Sequence, residues 1–140
     1  MPVKPESRLY NRVRENLENC RISRIENRVN LGIPDCLIAM KPEGIFVPVE
    51  LKVVRRGRKV ELRPHQVAFH VSHADMGCPT FILVEYHPPG TVAARKAELL
   101  LYRGEQALDL VKLGIDAEPL DRWNYAAPMW HRLRQHLAES

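Results

Sequence analysis

Residues 32–54 read GIPDCLIAMKPEGIFVPVELKVV, two apolar runs joined by Lys-Pro-Glu-Gly. Proline and glycine in that joint suit a tight turn. The runs are therefore predicted as strands over 35–40 and 45–54, folded back on one another as a hairpin. Strand side chains alternate between faces, so Val47, Val49, Leu51 and Val53 share one face while Glu50 and Lys52 share the other. The apolar set can pack on a helix. The charged set is costly in a β-rich run unless it is paired, hydrated or bound to something. Asp35 opens the first of these strands, and the hairpin brings it beside Glu50.

The surrounding pattern sets this hairpin in an α/β chain without repeats. Leu9, Val13 and Leu17 recur at four-residue spacing, which predicts a helix over 6–19. A strand is expected over 21–29. After the hairpin comes the basic loop Arg-Arg-Gly-Arg-Lys, then a helix from Pro64 to about Met76 with Gly77 as its stop. Thr80 to Tyr86 reads as an apolar strand, Ala97 to Tyr102 as another, and Glu105 to Leu113 as a short helix before Gly114. A tail helix is expected over 128–138, with Met129, Leu133 and Leu137 on one side. Three strands joined by short turns make an antiparallel meander. A helix crossing from the third strand to the fourth permits a parallel pair, hence a mixed sheet. Pro48 sits within a strand placed centrally, where it removes a ladder hydrogen bond. Either a bulge lies there or the neighbouring strand does not use that position.

At 140 residues the chain is expected to form one domain, a core over about 6–102 with a helical extension over 105–140. Its apolar fraction of 45% argues against wholesale disorder. No apolar run approaches the ~20 residues needed to span a bilayer, and no signal-peptide pattern opens the chain. Its three cysteines form no Cys-x-x-Cys pair, which suits a reduced, cytoplasmic protein with free thiols. The net charge is +4, and its placement is more informative than its total. Arg55, Arg56, Arg58, Lys59 and Arg63 follow Lys52 closely, with Glu61 the sole acid among them. Arg8, Arg12, Arg14, Arg21, Arg24 and Arg28 form a second group, interleaved with acids. Either group alone reads equally well as a solvated face. Flanking an acidic pair, they fit a polyanionic partner, because phosphates are held by lysine and arginine.

Two carboxylates converging beside an ammonium group repel one another unless a cation joins them. Asp35 and Glu50 offer the hard oxygens that Mg²⁺ takes, leaving positions for water and phosphate oxygens. Lys52 beside them can orient water or stabilise charge on a phosphoryl transition state. A Glu-x-Lys pair on a strand is by itself a weak signal, common for structural reasons.

Taken in order, Gly32-Ile33-Pro34-Asp35, then Val49-Glu50-Leu51-Lys52, then the basic loop and Arg63-Pro64-His65-Gln66, resemble the PD-(D/E)XK nuclease superfamily. VRR-NUC nucleases are the nearest likeness, and Holliday-junction resolvases stand further off. The resemblance covers roughly residues 6–86. It implies a restriction-endonuclease-like core, a mixed sheet flanked by helices. It implies Mg²⁺, with Mn²⁺ able to substitute, and a DNA substrate cut by phosphodiester hydrolysis. Carried over residue by residue, Asp35 and Glu50 become metal ligands, the Leu51 carbonyl a further ligand, and Lys52 the catalytic lysine. Gln66 matches the glutamine near the family's site. The family's first-helix acid falls on Glu6, with Glu15 competing and Glu18 behind it; Glu6 equally suits the helix N-terminal dipole. The resolvase likeness adds branched DNA and a homodimer, for which the apolar side of the tail helix offers an interface if it is not buried in its own core. The alternative function is a catalytically inactive nucleic-acid-binding module of the same fold.

Other groupings compete. His70 and His73, with His65 and Cys78, invite a zinc reading but lack a fourth ligand at a recognisable spacing. Trp123, Tyr125 and Trp130 either stack on bases or pack beneath the terminal helix, and packing is the simpler reading. Residues 91–96, Thr-Val-Ala-Ala-Arg-Lys, are a DNA-facing loop or a linker.

Overall fold

Helix α1 spans Pro5–Asn16, with Pro5 and Glu6 in its first turn and a single buried stripe of Leu9 and Val13. It ends earlier than the periodicity suggests. Leu17 turns extended at φ −82°, ψ 122°, and donates its N–H to the Val13 carbonyl. Its side chain still reaches the core, so the four-residue spacing survives beyond the helix itself. The computed structural model describes residues 4–25, 32–90, 97–125 and 129–140. The second half of the strand expected over 21–29, the segment 91–96, Arg28 and the start of the tail helix lie outside them.

Strands β1 (Cys20–Arg24), β2 (Cys36–Met40) and β3 (Ile45–Val54) form the expected antiparallel meander. Helix α2 (Pro64–Asp75) then crosses to β4 (Phe81–Tyr86), which runs parallel to β3 with Val49 opposite Phe81 and Val54 opposite Tyr86. Strand β5 (Glu98–Arg103) returns antiparallel. Helix α3 (Ala107–Leu113) follows, then β6 (Asp121–Asn124), antiparallel to β5, and helix α4 (Met129–Ala138). Among the described residues six strands therefore lie in chain order in one mixed sheet, the α/β architecture expected. β6 is the departure, because residues 105–140 are not purely helical. Its four residues, Asp-Arg-Trp-Asn, are too few and too polar to announce a strand; pairing with β5 creates it.

Each face of the sheet carries its own core. Val47, Val49 and Leu51 of β3 lie with Leu83, Leu99 and Leu101 beneath α1 and α4. On the other face Val54, Ile82, Val84, Leu100 and Tyr102 pack against Ala107 and Leu110 of α3 and Val67 of α2. Met129, Leu133 and Leu137 are fully buried in the first core, so the apolar side of the tail helix is not free to serve as an interface. Truncating any of the three is the kind of change that costs about 2–5 kcal/mol. Trp123 joins the same core, and Tyr125 and Trp130 pack against it. Among the described residues no helix is long and apolar enough to cross a membrane.

Pro48 fits without a bulge. The Leu51 N–H points to the β2 side, 2.8 Å from Asp35 Oδ2. Amides alternate along a strand, so Pro48 turns its nitrogen the other way, toward β4. β4 begins only opposite Val49. No ladder bond is lost.

Candidate active site

The hairpin register sets Cys36 opposite Val49, which leaves Asp35 across from Glu50 at the open end of β2. Asp35 is fixed there by the hydrogen bond its Oδ2 accepts from Leu51 N–H. N–H and C=O of a strand residue point the same way, so the Leu51 carbonyl is also directed to the Asp35 side, past the last β2–β3 pair. Glu50 lies one residue earlier on the opposite face, only 1% exposed.

Helix α2 supplies the other partner. Gln66 sits in its first turn, donates from Nε2 to Glu50 Oε2 at 3.2 Å, and accepts from Lys52 Nζ at 3.2 Å and from the Arg63 N–H at 2.9 Å. These bonds fix the amide orientation, since a flipped group would put an N–H against an ammonium. One side chain therefore aligns both Glu50 and Lys52. The loop before Asp35 is pressed against the same turn. Gly32 has φ +76°, and a Cβ there would sit 2.1 Å from the His65 carbonyl oxygen. Gly32 is a site residue that spacing alone does not reveal, although the Gly-Ile-Pro-Asp string contains it.

Burial is the main reason the Glu50 carboxyl is pushed well above the usual carboxylate range; Asp35 adds to it, Lys52 opposes it, and Glu6 adds a little more. Glu50 Oε1 is buried with no hydrogen-bond partner among the described residues. A buried acceptor left in this way costs free energy. Without a cation, Glu50 meets this cost by holding a proton that it can share with the facing Asp35 carboxylate, and a cation would take that proton's place. Two facing carboxylates and an outward-directed carbonyl are hard oxygen donors, and they suit a divalent ion such as Mg²⁺.

Raised above its unfolded value, the Glu50 pKa makes the folded state hold a proton that the unfolded chain releases. The linked stability is complete below about pH 4.3, the ordinary glutamate value, and drains away as pH climbs toward the folded pKa. In metal-free buffer, Glu50→Gln is therefore expected to melt above wild type, by ~1–3 kcal/mol of stability at pH 8 and by much less at pH 4. Thermal melts across that range check this. A gap that stays constant with pH would mean Glu50 is ionised in the fold.

Glu6, half-buried in the first turn of α1, lines a cleft of about 290 Å³ with Lys52, Arg55, Arg56, Lys59 and Glu61. Glu15 and Glu18 are exposed further along and do not line it. α1 is tied to the sheet by Glu85 of β4, buried at 3% exposure, which pairs with Arg12 and accepts from Tyr125 Oη at 2.6 Å. His87 Nε2 lies 2.9 Å from the same carboxylate. A carboxylate inside Phe-Ile-Leu-Val-Glu-Tyr is a visible signal of such a network, which holds the helix that presents Glu6.

The basic loop divides. Arg55, Arg56 and Lys59 face the cleft. Arg58 instead pairs with Asp116, its Nε 3.0 Å from Oδ1, and its carbonyl accepts the Ile115 N–H. Arg63 is exposed at the start of α2 and also lies outside the cleft lining. Among the described residues no three or more His, Cys, Asp or Glu side chains gather to hold a metal ion, so neither the zinc set nor a triad of Glu6 with Asp35 and Glu50 forms. Among them, the carboxylates of the candidate site are the pair Asp35 and Glu50 alone. His70 is buried, its Nδ1 2.7 Å from Thr80 Oγ1, and burial lowers its pKa to about 4; His73 stacks on Phe69 and Cys78 is exposed. No protein-family model matches the chain, and no curated protein matches it.

Proposed function

We propose that the chain is a divalent-metal-dependent nuclease. The particular activity we infer is hydrolysis of phosphodiester bonds in DNA by an endonuclease selective for branched structures. The observation that carries this reading is the buried Glu50, facing Asp35 with one oxygen lacking a hydrogen-bond partner among the described residues and a lysine aligned beside it by Gln66.

Asp35, Glu50 and the Leu51 carbonyl would hold the ion. Bound there, Mg²⁺ or Mn²⁺ supplies the positive charge that polarises a phosphoryl oxygen and lowers the pKa of water. Lys52 offers a fixed ammonium to the negative charge that grows on the phosphoryl group. Gln66 keeps that ammonium in place while satisfying the second oxygen of Glu50. Arg55, Arg56 and Lys59 add positive charge at the cleft mouth, where the backbone of a nucleic acid would lie.

The sheet and its helices take up most of these 140 residues, so the selectivity they carry would come from DNA shape and backbone contacts. A branched substrate has two strands to cut, and a two-fold dimer presents two sites to them. The deciding experiment incubates the protein with Mg²⁺ and a four-way junction, a flap and a plain duplex of matched sequence. Cleavage of the branched forms is expected, with light scattering at micromolar protein reporting the mass of two chains. Binding without cleavage on every substrate would leave the inactive binding module. A monomer cutting one recognition sequence in plain duplex would remove the branched-DNA and dimer parts and leave the metal chemistry.

Neutralising Arg55 and Arg56 together is expected to flatten the salt dependence of DNA binding, by up to ~0.9 in log–log slope for each phosphate no longer neutralised. Turnover at saturating DNA should change little. Neutralising Arg58, already paired with Asp116, should change the slope less. An unchanged slope in the double variant would mean that the loop never meets the backbone.

A further inference from the structure

The face of the sheet that carries Asp35 and Glu50 is covered by helices over only part of its width. α2 and α3 lie over the end of β3 and over β4 and β5. Toward β1 the described part of this face is open. Its composition follows from the register, because directly opposed residues share a face. Arg21, Ala39 and Phe46 form one row; Ser23, Leu37 and Pro48 form the next; Asp35 and Glu50 come immediately after. Phe46 is thus four residues from Glu50 on the same strand and face, roughly 13 Å along β3.

Phe46 is 67% exposed. A single apolar side chain in water is ordinary. What sets Phe46 apart is its line with the two carboxylates and its charged neighbours. The far end of the open face borders a cavity of about 520 Å³ lined by Asn19, Cys20, Arg21, Ala39, Met40 and Lys41, and among these described residues are two cations and no acid. Flat aromatic surface, phosphate-binding cations and a direct run to a phosphodiester site call for one kind of occupant. A duplex keeps its bases stacked on one another, whereas unpaired bases present π-faces that stack on aromatics carried by a sheet.

We propose that this open part of β1, β2 and β3 holds an unpaired stretch of the DNA strand adjoining the scissile phosphate, with a base stacked on Phe46 and phosphates against Arg21 and Lys41. The direction of the strand rests on the nuclease reading of Asp35 and Glu50; the stacking surface does not. It also gives branched DNA a physical means of recognition, since a flap or junction supplies unpaired bases and a continuous duplex does not.

The test measures binding, in chelator, of the full chain to labelled DNA with a single-stranded overhang and to a blunt duplex of the same paired length. Phe46→Ala is expected to weaken overhang binding roughly tenfold and leave the blunt duplex unchanged, while Phe46→Tyr retains wild-type affinity. Replacing Arg21 and Lys41 with Gln should lower the salt slope on the overhang by up to ~0.7 for each phosphate released. Equal losses on both substrates, or no loss from Phe46→Ala, would overturn the proposal. So would a Phe46→Ala protein that changes from dimer to monomer in light scattering, since the face would then belong to a second copy. Because no metal is present, a protein that never cuts DNA can still pass this test, and an active nuclease can fail it.

Discussion

Glu50→Gln and Asp35→Asn should each abolish Mg²⁺-dependent cleavage while leaving the fold intact. Each substitution removes one negative ligand with almost no change in volume, and a hard cation loses affinity with every carboxylate withdrawn. The fold should tolerate both. The Glu50 amide can keep its contact with Gln66, and Asp35 to Asn preserves an acceptor for the Leu51 N–H. Loss of rate should reach on the order of a thousandfold or more, because both positioning and charge stabilisation by the ion disappear together. DNA binding should survive, or tighten as carboxylate–phosphate repulsion falls. Lys52→Ala should cost on the order of a hundredfold in rate with little change in metal affinity, since in the proposed mechanism the ammonium acts on developing charge and not on the ion. Circular dichroism, calorimetric titration with Mg²⁺ and single-turnover cleavage separate these effects. Wild-type rates in either carboxylate variant would remove the site assignment.

The parts of this site visible in the sequence are those that depend on local periodicity. Alternation along 45–54 separates Val47, Val49 and Leu51 from Glu50 and Lys52, and the Lys-Pro-Glu-Gly turn then pairs the strands. Those two facts suffice to place Asp35 opposite Glu50. What stays hidden is decided at long range. Arg58 looks identical to Arg55 and Arg56 until Asp116, 58 residues away, is found beside it. The buried Glu85 is intelligible only once Arg12 and Tyr125 arrive from opposite ends of the chain. β6 owes its existence to the edge that β5 offers and not to its own composition. The tail helix has the apolar stripe of an interface and of a core element alike, and only the sheet beneath it decides between them. Phe46 falls in the same class, because whether a helix covers a strand residue is not written in the strand.

Gly32 gives the second large effect, through backbone contact and not chemistry. Two separate penalties fall on Gly32→Ala. One is the left-handed φ of +76°, which an L side chain adopts at a cost of ~1–3 kcal/mol. The other is the Cβ, which would lie 2.1 Å from the His65 carbonyl oxygen and 2.3 Å from its carbon. Both atoms are backbone, so no side chain can swing away; the loop and the first turn of α2 must part. That displacement carries Gln66 with it and releases Lys52 and Glu50 from their shared partner. Gly57→Ala separates the penalties, because Gly57 has φ +68° and no atom of the described residues within 4 Å of its would-be Cβ. Gly32→Ala is expected to lose ~2–4 kcal/mol in denaturant unfolding, against ~1 kcal/mol for Gly57→Ala. Well below its melting temperature, Gly32→Ala should still cut DNA on the order of a hundredfold more slowly, because misplacing a catalytic group by about 1 Å costs that much. Gly57→Ala should cut at nearly the wild-type rate. Equal stability losses in the two variants would mean that the loop yields without disturbing α2. Wild-type cleavage by Gly32→Ala would mean that Gln66 does not need this contact to hold Lys52 in place.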